Sequence, residues 1–152
     1  MRGAPRSGKV RTATAADVDT LFDIRTSVRE NYMSRAELAA IGVTPASVSA
    51  ILQGSGRAWI AWLERQAVAF SMADAARATV FAMFVRPDFE GRGLGRRLLT
   101  EAERWLFAQG CREIWLTTGT DAIRAQGFYR HLGWTETGLA ENGEIRFVKR
   151  HG

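Results

Sequence analysis

The 152-residue sequence predicts one α/β domain, built on a mixed β-sheet with helices on both of its faces. Two observations carry that expectation. Strand-like runs lie in the first half, at Ala58 to Leu63 and Ala67 to Ala73, around a turn at Glu64 to Gln66. A strand, helix, strand unit then runs from Thr79 to Thr118, and such a unit has to cross over between neighbouring parallel strands.

Each element has its own local signal. A short strand is expected from Lys9 to Thr14. Thr14 and Asp17 then have the spacing of a helix start, and Val18, Leu21, Ile24 and Val28 recur on one face, so the first helix is expected to reach about Glu30. Ser34 begins a second short helical stretch. Thr44-Pro45 reads as an N-cap followed by proline at the first helical position, leading into Val48, Ile51 and Leu52 until Gly54 and Gly56 end it. Thr79 to Val85 is nearly all apolar, as expected of a central strand covered on both faces. Leu94, Leu98, Ala102, Trp105 and Leu106 mark a helix ending at Gly110. Glu113 to Thr118 is the next strand, Ala122 to His131 a helix, and the chain closes from Trp134 in a hairpin around Asn142-Gly143. No internal repeat or interdomain linker interrupts residues 1–152.

Hydrophobic residues make up 46% of the chain and charged residues 24%, which suits a folded globular domain and excludes a disordered one. No apolar run approaches the ~20 residues of a bilayer span, and no signal-type stretch follows the basic start. A cytoplasmic protein without a membrane partner is the expectation. The lone Cys111 cannot form an internal disulfide and reads as a small buried hydrophobe. No metal is expected, because no cluster has metal-ligand spacing. The formal charge of +5 invites a nucleic-acid reading, but six of the 21 basic residues lie at the ends: Arg2, Arg6, Lys9, Arg11, Lys149 and Arg150. Without them, 15 basic residues face 16 acidic ones. The charge is therefore mostly terminal, with residues 1–8 expected as a flexible tail. No helix-turn-helix, zinc-finger or RRM motif is present, so a nucleic-acid partner is not expected.

The most informative stretch follows the central strand: Val85-Arg86-Pro87-Asp88-Phe89-Glu90-Gly91-Arg92-Gly93-Leu94-Gly95-Arg96. Pro87 ends the strand because it lacks a ladder donor, while Gly91, Gly93 and Gly95 permit backbone angles and close approaches that a Cβ would block. The helix beginning near Leu94 adds unsatisfied amides and a positive dipole end, and Arg92, Arg96 and Arg97 add charge, so a pyrophosphate is a natural ligand. Ligands of open α/β sheets sit beyond the carboxyl ends of the parallel strands, which is where this loop falls. It is neither a Walker loop, which needs Gly-Lys-Ser/Thr, nor a dinucleotide fingerprint, whose third glycine is replaced by Arg96.

Glu90-Gly91-Arg92-Gly93-Leu94-Gly95 instead resembles the acyl-CoA signature of the GNAT superfamily of N-acetyltransferases, Gln/Arg-x-x-Gly-x-Gly/Ala, with Glu90 departing at the first position. Ala125-Gln126-Gly127-Phe128-Tyr129-Arg130-His131-Leu132-Gly133-Trp134 is similar to a second element, Ala-x-x-Phe-Tyr-x-x-x-Gly-Phe, and Ala122 stands where the superfamily often has asparagine. The resemblance covers Arg11 to Lys149. It implies a mostly antiparallel sheet of six to seven strands with a splayed parallel pair, acetyl-CoA as co-substrate, and a small-molecule amine or a peptide as acceptor. A homodimer is a candidate assembly. Cofactor contacts would come from Glu90 to Arg96 and from the backbone of Met83, Phe84 and Val85, which would also meet the oxyanion.

Acetyl transfer from a thioester to an amine needs a base, an oxyanion site and an acid for the leaving thiol. The resemblance puts the acid at Tyr129, whose bland alternative is a half-buried aromatic; Phe128 reads as core. No carboxylate lies inside Val80 to Val85, so the base is water or another residue, with Asp74 and Glu30 as candidates that read more readily as solvated carboxylates. On the first helix, Arg25, Arg29 and Tyr32 stand at i, i+4 and i+7 and would share a stripe, with no acid three or four residues from either arginine. They are candidates for holding an anionic group of the acceptor, against the bland alternative of solvated arginines or arginines paired with a distant acid. A non-catalytic CoA-binding sensor and a phosphate-loop nucleic-acid module remain as the other classes.

Overall fold

The structure is a computed structural model that describes residues 8–152. Residues 1–7 of the expected tail lie outside the described residues; Gly8 is held, its carbonyl accepting from Arg97 Nη1 at 3.2 Å. The chain runs β1 (Lys9–Thr12), α1 (Val18–Arg25), α2 (Arg35–Ala40), α3 (Pro45–Gln53), β2 (Gly56–Leu63), β3 (Gln66–Asp74), β4 (Thr79–Val85), α4 (Leu94–Ala108), β5 (Glu113–Thr118), α5 (Ile123–His131), β6 (Thr135–Leu139) and β7 (Ile145–Arg150). Seven strands form one sheet in the order β1-β2-β3-β4-β5-β7-β6. Only β4 and β5 run parallel, and the other neighbours are antiparallel.

Local chemistry fixes the helix starts. Thr14 with Asp17, Ser34 with Glu37 and Thr44 with Ser47 all close capping boxes, each satisfying orphan amides of a first turn. The first box caps a single 3-10 turn, Ala15–Asp17, which feeds α1. That helix ends at Arg25 instead of continuing to about Glu30, because Thr26 Oγ1 donates to Phe22 O at 2.8 Å and Ser27 Oγ to Ile24 O at 2.6 Å. Side-chain hydroxyls bonded to the last carbonyls compete with helix propagation. Asn31 then takes a left-handed φ of 57°, so Arg25, Arg29 and Tyr32 do not share a helical stripe.

Both faces of the sheet are covered. Trp59, Ala61 and Leu63 of β2 point to one side, where α4 supplies Leu98, Leu99, Ala102 and Leu106, all fully buried with Val68, Ile114 and Phe147. Ala58 and Ile60 point to the other, against Phe22 and Ile24 of α1, Leu38 of α2 and Val48 of α3. This two-sided burial is why the strand reads as a continuous apolar run. The basic C-terminal end is built in: Lys149 Nζ lies 2.8 Å from Glu103 Oε1, and Arg150 Nε 3.0 Å from Glu113 Oε2. Cys111 packs partly buried against the α4-side core.

β4 departs from the expectation of a strand covered on both faces. Thr79 and Val80 are buried, but Phe81 is 43% exposed and the rest of the strand is half-buried. Two irregularities explain this. A bulge places Ala73 opposite Val80 and Met72 opposite Ala82, leaving Phe81 unmatched. The extra residue resets the alternation, so Val80, Met83 and Val85 pack on the α4 face while Ala82 and Phe84 pack on the α1 face. Moreover, β4 meets β5 at one rung, Thr79 with Trp115, where Thr79 Oγ1 donates to Trp115 O at 2.7 Å. Beyond that rung the two strands separate, as expected of a splayed pair.

Candidate active site

The loop after β4 is shaped by its backbone. Arg86 N–H donates to Val68 O at 2.8 Å, and Pro87–Phe89 forms one 3-10 turn. Gly91 and Gly93 adopt φ values of 77° and 80°, in the left-handed region that favours glycine. Gly93 is the N-cap of the 15-residue α4 and offers no side-chain cap. Arg97 N–H makes the first bond of the helix, to Gly93 O at 3.2 Å, so the amides of Leu94, Gly95 and Arg96 have no partner within it. An uncapped helix start of this length presents amides and a positive dipole end to an anion. Arg92 and Arg96 flank it in exposed positions, Arg92 with its guanidinium 5.0 Å from the Phe89 ring. Glu90 is exposed.

Gly95 differs from the other two glycines. It is helical, and a Cβ there would stand 3.7 Å from Met83 Cε and 3.8 Å from Phe128 Cζ. Its bare Cα is thus where β4, the start of α4 and α5 converge. Phe128, read from the sequence as core, reaches this point from α5.

The gap between β4 and β5 opens beside the same loop. Since Arg86 N–H turns toward β3, alternation along the strand turns the backbone N–H and C=O of Met83 and Val85 toward the gap and those of Phe84 toward β3. On the other lip, buried Gln126 donates from Nε2 to Gly119 O at 2.9 Å and Thr120 O at 3.1 Å, pinning the turn that follows β5. A glutamine in a helix reads as solvated, so the sequence carried no signal for this role. Ala122 is the N-cap of α5 and supplies no side-chain cap.

Tyr129 lies among Phe128, Trp134 and Phe147, with ring centroids 5.4, 6.2 and 5.7 Å away. Burial pushes its hydroxyl up to about 12, since the phenolate would lose its hydration. The two candidate bases are not brought together with it. Asp74 stands at the far end of β3, paired with Thr79 and Gly56, and its Oδ1 accepts from Ser55 Oγ at 2.6 Å and Ala76 N at 3.0 Å. Glu30 lies exposed in the connection after α1, as do Arg29 and Tyr32. Arg25, at the end of α1, is half-buried with its guanidinium 4.3 Å from the Phe84 ring centroid. Among the described residues no group of three or more His, Cys, Asp or Glu is placed to hold a metal, and no helix is long and apolar enough to cross a membrane.

The profile of the acetyltransferase (GNAT) family matches residues 23–134, which include the strand, the glycine loop and the aromatic helix just described. The chain belongs to the GNAT family. An uncharacterised N-acetyltransferase of Methanocaldococcus jannaschii is 34% identical over 92 residues, covering 60% of this chain and 36% of that protein. This GNAT chain thus matches about a third of that relative's length. The paia N-acetyltransferase of Thermoplasma acidophilum, solved with coenzyme A, superposes with a TM-score of 0.79 at 16% identity, over 94% of this chain and 98% of that one. A phosphinothricin acetyltransferase of Sinorhizobium meliloti, solved with acetyl-CoA, gives a TM-score of 0.74 at 22% identity, over 96% and 89% of the two chains. At these identities the superpositions show the shared fold.

Proposed function

We propose that this protein is a CoA-dependent N-acetyltransferase that moves an acetyl group from acetyl-CoA to a primary amine by direct attack in a ternary complex. The observation that carries this reading is the uncapped start of α4 behind left-handed Gly91 and Gly93, opening beside the β4–β5 gap. The amides of Gly91 to Arg96 would hold the cofactor pyrophosphate, with Arg92 and Arg96 as flanking charges. Met83 and Val85 would offer their backbone groups to the amide-bearing arm, in the manner of a strand neighbour, and an N–H to the carbonyl oxygen as it gains negative charge. As the amine nitrogen bonds to the carbonyl carbon, the C–S bond breaks and the sulfur takes up charge. Tyr129 would donate a hydrogen bond to that sulfur, its hydroxyl being protonated at neutral pH as any tyrosine's is. The proton released by the amine would pass to water, since Asp74 is committed to Ser55 and Ala76 at the far end of the sheet. The setting in this reading is the cytoplasm.

Thiol release from acetyl-CoA, measured across a panel of small amines and peptide N-termini, tests the proposal. Amine-dependent release is the expected result. CoA binding without release for any acceptor would instead favour a sensor domain.

A further inference from the structure

We propose that Arg25 recognises an anion in the acceptor pocket, and that the acceptor is therefore a small amine carrying a carboxylate or phosphate. This deepens the N-acetyltransferase reading and rests on it for the meaning of the pocket.

Arg25 Nη1 is buried and has no hydrogen-bond partner among the described residues. A buried N–H left unmade is costly, and more so on a charged group, so such an atom calls for an acceptor that arrives from outside. The Phe84 ring 4.3 Å away attracts the cation but leaves its N–H groups unsatisfied. Partial burial also lowers the guanidinium's pKa from its ordinary value. The neighbouring acids are spoken for. Arg35 likewise stacks on an aromatic, Phe22 at 5.0 Å, yet it takes both acids of α1, Asp19 at 3.3 Å and Asp23 at 3.2 Å. Arg25 forms no ion pair with the described residues, so its charge is available to a ligand.

The position fits the second reactant. The phosphate loop and the Met83 and Val85 side chains belong to the α4 face of β4, whereas Phe84 and Arg25 belong to the α1 face. With the cofactor entering from α4, the α1 side is left open for an amine to reach one face of the thioester carbonyl. Arg25 would grip its anionic group there, one strand residue from the backbone of Met83 and Val85. A planar guanidinium fork matches carboxylate and phosphate oxygens bidentately, which is why these two groups are named. Arg29 and Tyr32, in the exposed connection, are not required.

The test has three arms on the full chain. First, the Nε–H signal of Arg25 is followed by NMR in CoA-saturated protein while inorganic phosphate or acetate is added at constant ionic strength. A saturable shift is expected for Arg25 and none for exposed Arg29; no shift, or a shift produced by CoA alone, overturns the proposal. Second, amino acids are compared with their amides, and phosphoethanolamine with ethanolamine, as acceptors. The anionic member of each pair should be preferred, and Arg25→Gln should raise its KM about 10- to 100-fold with CoA affinity unchanged. Preference for neutral or polycationic amines, with Arg25→Gln indifferent, overturns it. Third, Arg25→Met keeps an apolar stem on Phe84 and removes the orphaned donor, so the Tm of the ligand-free protein should hold or rise; a lower Tm with unchanged acceptor kinetics would make Arg25 a structural residue. If no amine is acetylated, the transferase reading fails while the NMR arm still decides Arg25.

Discussion

At the scale of single residues, Tyr129 is where burial bears on the proposed chemistry. Its pKa is raised to about 12 by desolvation. Complete transfer of that proton to a thiolate of pKa ~8.5 is uphill, so the hydroxyl would act as a hydrogen-bond donor while charge grows on sulfur. Tyr129→Phe should therefore lower kcat at least tenfold with CoA affinity unchanged; under chemistry-limited conditions, a loss below about threefold would remove the hydroxyl from the mechanism. The raised pKa also has a sign for stability. The folded state holds the proton more tightly than the unfolded chain, so this contribution is full below pH ~10 and disappears as pH climbs through about 12. The chain has two tyrosines, so phenolate absorbance in a Tyr32→Phe background isolates Tyr129. An alkaline midpoint near its predecessor in a free peptide, ~10, would contradict the buried placement.

At the scale of elements, the loop and α4 show how a conformational need and a binding need separate. Gly93 has φ 80° and open space around a built Cβ, and Gly110, just past the other end of the same helix, has φ 99° and equally open space. Aspartate at either position pays a similar backbone strain of about 1 kcal/mol. Only at Gly93 would it set a carboxylate against the phosphates of the proposed cofactor site, so calorimetry should show CoA affinity falling more than tenfold for Gly93→Asp and holding for Gly110→Asp. Equal losses would mean that strain, not charge, explains the glycine. The same contrast between local and distant causes decides what the sequence could reveal. The start of α3 at Pro45, the span of β5 and the glycine loop were legible because caps, apolar runs and turns are written within a few residues. The end of α1 was not, since a helical repeat continues to Val28 while the hydroxyls of Thr26 and Ser27 turn back onto the helix. Asp74 was a candidate base that the sequence could not place, since which end of the sheet it occupies depends on register with β2 and β4. The half-exposure of β4 was equally out of reach, being set by a partner strand that turns away.

At the scale of the whole molecule, four strands and three strands are joined by the Thr79–Trp115 rung, reinforced by Trp115 N–H to Ala78 O at 3.0 Å and Trp115 Nε1 to Arg77 O at 2.8 Å. Helix α4 bridges the two parts from one face. If the cofactor arm lies in the gap, CoA should slow hydrogen exchange at the Met83 and Val85 amides and leave β1 and β2 unaffected. At about 100 times Kd it should raise Tm by about 5 to 10 °C. Unprotected Met83 and Val85 amides in CoA-saturated protein would take the arm out of the gap. A sheet sewn at one rung would also make the donor a second stitch: with the cofactor arm in the gap, the seam should part less often, so limited proteolysis of the full chain should be slower with acetyl-CoA than without it.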